Sequence, residues 1–180
     1  EWIVDEWIRD YGKEKTEQIV EAVSTEKDIT IRTNLKLCAP QELKQRLESE
    51  GVRVKPVPQL AYAFSISGFD YLAGLLSFQE GLFYVQDVSS MMVAETAAPK
   101  EGDYVIDVCG APGGKSTHIA EMMKDTGMVE SRDLTEYKTG LIEESRLRHG
   151  LTNMKAVQMD ATVYDSSSHH KADILVCDLP

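Results

Sequence analysis

The 180-residue chain predicts an α/β protein. Its second half reads as part of a Rossmann-like parallel sheet, preceded by a small α+β domain and a helical segment. Three observations carry this. From residue 86 onward, apolar strands alternate with helices, the pattern of a parallel, doubly wound sheet. A glycine-rich turn joins the first of those strands to a helix. Upstream, short alternating segments surround one amphipathic helix.

Taken in order, residues 1–28 read as helical. Trp2, Ile3, Trp7 and Ile8, then Ile19, Val20 and Val23, recur at helix spacing, with a break at Tyr11-Gly12. Two tryptophans in so short a stretch call for a partner surface. Residues 29–85 form the α+β unit, with strands at 29–34, 52–57 and 61–67. Its helix opens at Pro40, carries Leu43 and Leu47, and ends before Gly51. In residues 86–180, strands are expected at 104–109, 127–131, 156–160 and 173–178. Helices are expected at 87–97, 115–125 and 136–149, with a short turn near 162–167.

Composition narrows the function. Hydrophobic residues at 42% and charged residues at 27% are ordinary for a globular protein, so a core can form. No apolar run approaches the ~20 residues of a membrane span, and the acidic start lacks the order of a signal peptide. Three cysteines, Cys38, Cys109 and Cys177, are too few and scattered for a disulfide framework or a zinc site. A reducing cytoplasm is the expected location. The lack of an initiating Met suggests a piece of a longer protein. The net charge of −11 alone argues against nucleic acid, but residues 29–58 hold six Lys/Arg against three acids. Arg32, Lys36, Arg53 and Lys55 of that stretch are candidate RNA contacts; a solvated surface explains the charge equally well.

The chemistry concentrates in VIDVCGAPGGKSTHIAE, residues 105–121. Glycines permit close backbone approach to a ligand, and free N–H groups at the helix start face it. The stretch is not a P-loop: the first glycine of that motif would fall at Cys109. Nor is it G-x-G-x-x-G, because Pro112 interrupts. Acids close the strands instead: Asp133 just past the second, Asp160 ending the third, Asp178 ending the fourth. Each alone suits a helix cap. Together, beyond the carboxyl ends of parallel strands, they suit a ribose, an adenine amino group and a cationic methionine tail. The expected ligand is therefore S-adenosylmethionine.

These residues carry a resemblance. D-V-C-G-A-P-G-G-K-S-T-H is similar to the D-x-C-A-A-P-G-G-K-T motif of the RNA 5-methylcytosine methyltransferases of the Nop2/Sun group. FQEGLFYVQDVSSMMVAE (78–95) resembles their F-x-x-G-x-x-x-x-Q-D-x-S-S signature. RHGLTNM (148–154) and VCDLP (176–180) resemble R-x-G-x-x-N and D-x-P-C-S-G. The likeness covers essentially the whole chain and is best to the bacterial 16S rRNA branch. It implies an RNA (cytosine-C5) methyltransferase, with residues 1–28 as the end of a NusB-like domain and a monomeric, cytoplasmic parent. It implies a cofactor site of Cys109, Gly110, Ala111, Pro112, Gly113, Gly114 and Lys115, with Asp133, Asp160 and Asp178. Lys138 stands where the family has Arg, and Gly110 where it has Ala, a change expected to loosen the loop. Gln86 and Asp87 are read as structural.

The family's reaction uses a cysteine thiolate that adds to cytosine C6. Its two cysteines follow the D-x-P proline, so none is expected among residues 1–180, and this polypeptide is expected to be inert. Cys177 is expected in the core, Cys38 as a buried apolar residue, Cys109 as part of the loop backbone. His118 is read as a packed or solvated helix residue, and His169-His170 as loop. No metal is expected. Two alternatives stand beside this reading: a non-catalytic RNA-binding module with a vestigial cofactor loop, and a methyltransferase of exocyclic amines. Intact acids oppose the first, and Asp178-Leu179-Pro180 departs from the second's Pro-Pro-aromatic pattern.

Overall fold

The computed structural model describes residues 2–24 and 28–179. Helices α1 (Trp2–Tyr11) and α2 (Lys13–Ser24) form a hairpin broken at Gly12, which takes a positive φ. Trp2, Ile3, Ile8 and Tyr11 stand exposed on it.

The first sheet contains β1 (Ile29–Thr33), β2 (Arg53–Pro56), β3 (Ala63–Ser67) and β4 (Phe83–Val85) in the order β2-β3-β1-β4, all antiparallel. Helix α3 (Pro40–Ser49) starts on its proline, whose fixed φ suits a first turn, and buries Leu43 and Leu47 completely. These two leucines meet Ile31, Phe64, Ile66 and Phe83 from one face of the sheet. A one-turn helix, α4 (Leu76–Gln79), leads into β4. The sequence reading missed β4, which is three residues long and announces no alternation.

The second sheet contains β5 (Tyr104–Asp107), β6 (Met128–Asp133), β7 (Met154–Gln158) and β8 (Ile174–Val176) in the order β7-β6-β5-β8, all parallel. Helices α5 (Val88–Ala97), α6 (Gly114–Met122) and α7 (Glu136–Arg148) accompany it. Its core packs Val105, Val129, Met154 and Val176 against Ile119, Met123 and Ile142. This is the doubly wound architecture expected, with its crevice where the order reverses between β5 and β8. Two boundaries differ from expectation. Strand β7 ends at Gln158, so Asp160 lies beyond it. Strand β8 ends at Val176, so Cys177 is exposed rather than in the core.

A buried polar seam joins the two sheets. The Asn34 amide donates to the His149 carbonyl at 3.5 Å, and the Tyr62 hydroxyl to Glu95 at 2.5 Å. The Arg32 guanidinium lies 3.7 Å over the Tyr84 ring, and Tyr84 stacks on His149 with centroids 3.6 Å apart. His149 is fully buried, and its Nδ1 lies 2.7 Å from the Ser145 carbonyl. Burial pushes its pKa down to about 4; the Ser145 carbonyl opposes, while the Arg148 and Arg32 charges add to the lowering. Burial likewise pushes His118 down to about 2.

The fold thus prefers both imidazoles neutral, while the unfolded chain protonates them near pH 6.5. Their contribution is complete above that pH and is lost as pH falls, toward 4 for His149 and toward 2 for His118. Denaturant melts between pH 7 and 4 are expected to show falling stability. His149→Phe, which keeps the ring stack, is expected to remove about one proton from that dependence. An unchanged slope in the variant contradicts the assignment.

Candidate functional site

Strand β5 delivers Asp107 to the carboxyl end of the sheet, and residues 108–113 turn there into α6. The Gly110 amide donates to the Arg132 carbonyl at 2.8 Å, and the Gly113 amide to the Gly110 carbonyl at 2.7 Å. The Ala111–Pro112 peptide is cis. Gly113 holds φ +109° at the helix N-cap, a conformation that side chains rarely adopt. At Gly110 the restriction is spatial: a Cβ there would collide with Ser131 Oγ and lie 3.1 Å from Ser116 Oγ. The Gly110 substitution is therefore not a loosening, because the Ser131 hydroxyl occupies the space an alanine methyl would take.

Those hydroxyls form a chain. Ser131 and Ser116 oxygens lie 2.7 Å apart, and Ser116 donates to Asp107 Oδ2 at 2.6 Å. Asp107 is 1% exposed, and its Oδ1 makes no hydrogen bond of acceptable geometry. Burial raises its pKa; Ser116, the Cys109 amide and Lys115 oppose this. A cavity of about 200 Å³ lies over the loop, lined by Gln86, Asp107, residues 109–112, Gly114, Lys115 and Asp178 among others. Lys115 Nζ sits 2.6 Å from Asp178 Oδ2. The lysine is thus neutralised, and a buried carboxylate oxygen is left wanting a donor. Such a lining favours a cationic group over a polyphosphate.

Asp133, the last residue of β6, is 3% exposed and reaches back to the loop. Its Oδ2 accepts from the Ala111 amide at 3.1 Å. Its Oδ1 accepts from the Leu134 amide at 2.8 Å and lies 3.1 Å from Lys138 Nζ. Burial raises its pKa, but the Leu134 amide, Lys138 and the Ala111 amide together hold it below the ordinary value. It does not cap a helix; the N-cap of α7 is Thr135, which accepts from the Lys138 amide.

Asp160 is not brought to this group. It is exposed, accepts from the Thr162 amide and hydroxyl at 2.9 and 2.7 Å, and lines a different hollow beside Arg132 and Met159. Position at a strand end, the ground for choosing it, fails because the strand stops two residues earlier.

The candidate RNA contacts divide. Arg32 is 1% exposed: it donates to Gln86 Oε1 at 2.8 Å and Thr117 Oγ1 at 3.3 Å and pairs with Glu121. It is enclosed by protein and has no face for a phosphate. The surface reading of that residue is corrected by its burial. Lys36 binds Asp125 and the Gly150 carbonyl, each at 2.7 Å, across the seam. Arg53 and Lys55 remain exposed on β2, side by side with Ser67 and Ser65 of β3. Lys55 pairs with Asp28 at 3.0 Å.

The reading missed Asp107 and underrated Gln86, whose Nε2 donates to the Gly114 carbonyl at 3.1 Å. An acid inside the otherwise apolar run VIDV was the available signal for Asp107. Among the described residues no helix is long and apolar enough to cross a membrane, and no cluster of metal-ligating side chains occurs.

A parallel sheet in this order, with a glycine loop off β5 and an engaged acid closing β6, places the chain among S-adenosylmethionine-dependent methyltransferases by fold. Comparison with known proteins agrees. A family model described as 16S rRNA methyltransferase RsmB/F matches residues 94–180, and one for the ferredoxin-like domain of RsmF/B-like methyltransferases matches residues 1–69. The chain belongs to this RsmB/F family. It is 38% identical over 181 residues to a probable ribosomal RNA small subunit methyltransferase B of Bacillus subtilis, covering 100% of this chain and 40% of that protein. It is 39% identical over 109 residues to a tRNA (cytosine(72)-C(5))-methyltransferase of Pyrococcus horikoshii, covering 61% of this chain and 28% of that protein. The crystal structure of PH0851 superposes with a TM-score of 0.83 at 28% identity, covering 99% of this chain and 41% of that one. The chain thus spans well under half the length of these relatives.

Proposed function

We propose that this chain is the cofactor-holding and RNA-positioning part of a methyltransferase that modifies C5 of cytosine in 16S rRNA. The observation that carries the reading is the Asp133 carboxylate bonded to the Ala111 amide, beside a cavity whose buried Asp107 oxygen lacks a partner. The names of the Bacillus and Pyrococcus relatives support the RNA and cytosine parts.

In this reading residues 109–115 cradle S-adenosylmethionine, Asp133 accepts from its ribose, and Asp107 and Asp178 face its cationic end. Asp160, which lines the hollow beside Arg132 and Met159, is kept for the adenine side on the resemblance alone. Cytosine C5 becomes nucleophilic once a cysteine thiolate adds to C6, and the bound cofactor supplies the electrophilic methyl group that such a carbon accepts. The resemblance assigns that thiolate to none of the three cysteines here. Burial pushes Cys38 up to about 11; burial, then Asp133 and Asp107, raise Cys109; and Cys177 sits exposed just past β8. The 180-residue polypeptide is therefore expected to bind cofactor without turnover. Transfer of labelled methyl to 16S rRNA is the test: labelling by this polypeptide alone would overturn the claim of inertness. Labelling at a position other than cytosine C5 by the protein that carries this chain would overturn the assignment.

RNA is expected on the open face of the first sheet, at Arg53 and Lys55. Arg53→Glu with Lys55→Glu should weaken 16S rRNA binding and reduce its salt slope by about 2. Filter binding at several salt concentrations measures this; unchanged affinity and slope would place the RNA elsewhere.

A further inference from the structure

Arg32 is a full charge buried in the seam, and its hydrogen bonds converge on one distant atom. By one route Arg32 Nε donates to Gln86 Oε1 at 2.8 Å, and Gln86 Nε2 donates to the Gly114 carbonyl at 3.1 Å. By the other, Arg32 Nη2 donates to Thr117 Oγ1 at 3.3 Å, and the Thr117 hydroxyl donates to the same Gly114 carbonyl at 3.1 Å. In both routes every donor faces an acceptor, so each bond polarises the next in one direction. Glu121 and the Tyr84 ring fix the guanidinium from its other sides.

The Gly114 carbonyl belongs to the first peptide plane of α6. The opposite edge of that plane is the Lys115 N–H, an amide of the first turn with no acceptor within the helix, on a residue that lines the loop cavity. Holding the carbonyl therefore aims the amide. Neither Arg32 nor Thr117 lines the cavity. We propose that Arg32 of the first sheet is a positioning residue for the cofactor loop, acting through Gln86 and Thr117 on the Gly114–Lys115 peptide. The small domain is then a working part of the cofactor site as well as an RNA platform. This inference rests on the reading that the loop binds S-adenosylmethionine.

The test uses the whole chain and two variants that leave the cavity lining intact, Arg32→Lys and Thr117→Val. Lysine keeps the charge against Glu121 but cannot supply the fork of donors. Tyr62→Phe is the control, because it removes a different hydrogen bond across the seam, the one to Glu95. Titration calorimetry with S-adenosylmethionine should show affinity reduced about tenfold in Arg32→Lys, less in Thr117→Val, and unchanged within about twofold in Tyr62→Phe. Without cofactor, the NMR chemical shift of the Lys115 amide, which reports the setting of the Gly114–Lys115 peptide, should move in the first two variants and hold in Tyr62→Phe. Wild-type affinity in Arg32→Lys, or an equal loss in Tyr62→Phe, would overturn the proposal. If the wild-type chain binds no S-adenosylmethionine, the cofactor reading itself fails. The amide shifts then decide the positioning claim alone: a change at Lys115 confined to the Arg32 and Thr117 variants supports it, and no change overturns it.

Discussion

Arg32→Met is expected to destabilise the protein by about 3–5 kcal/mol, because it leaves a carboxylate buried without its partner. Glu121 has a side chain only 6% exposed and also accepts from the Leu35 amide. Burial raises its pKa, and the Arg32 charge is the chief opposing influence. With that charge gone, the folded-state pKa climbs well above the unfolded value. Stability is then retained at low pH, where Glu121 is protonated, and lost as pH rises through the new pKa. The deficit relative to wild type is thus expected to grow from pH 5 to pH 8. Adding Glu121→Gln should restore part of the loss, since the amide keeps an acceptor for Leu35 without a charge. Thermal melts decide this: a fall of about 10 °C for the single variant at pH 8 is expected, and a neutral substitution would contradict the burial argument.

The second large effect is at Gly110. Gly110→Ala is expected to cost about 1–3 kcal/mol through overpacking, because its methyl and the Ser131 hydroxyl claim the same volume. Ser131 lies inside a buried strand, and its hydroxyl is held by Ser116, so it cannot swing clear cheaply. Ser131→Ala alone removes one hydrogen bond from the chain leading to Asp107. The double variant is expected to be more stable than Gly110→Ala, with a coupling of about 1 kcal/mol or more between the sites. Additive effects would mean that the loop moves aside freely.

These two residues also mark what the sequence made legible. The loop, its two flanking elements and Asp133 were readable because glycines, a strand and a helix leave strong local patterns. The parallel sheet followed from alternation. Arg32 was misread because charge is assigned to the surface by default; nothing in ITIRTN marks the Glu121 acceptor 89 residues away. Gly110 was misjudged for the same reason: its constraint is Ser131, on another strand. Asp160 and Cys177 were misplaced by a residue or two of strand length, enough to turn a side chain from core or crevice to solvent. Strand β4 was invisible because its partner β1, not its own three residues, makes it a strand.

The central claim is that the loop and Asp133 together hold S-adenosylmethionine. Calorimetric titration of the chain and of Asp133→Asn tests it most directly. The account predicts one molecule bound per chain, with affinity reduced about 30- to 100-fold in Asp133→Asn when both proteins are titrated well below the melting temperature of the variant. No binding by the wild-type chain, or equal affinity in the variant, would contradict it.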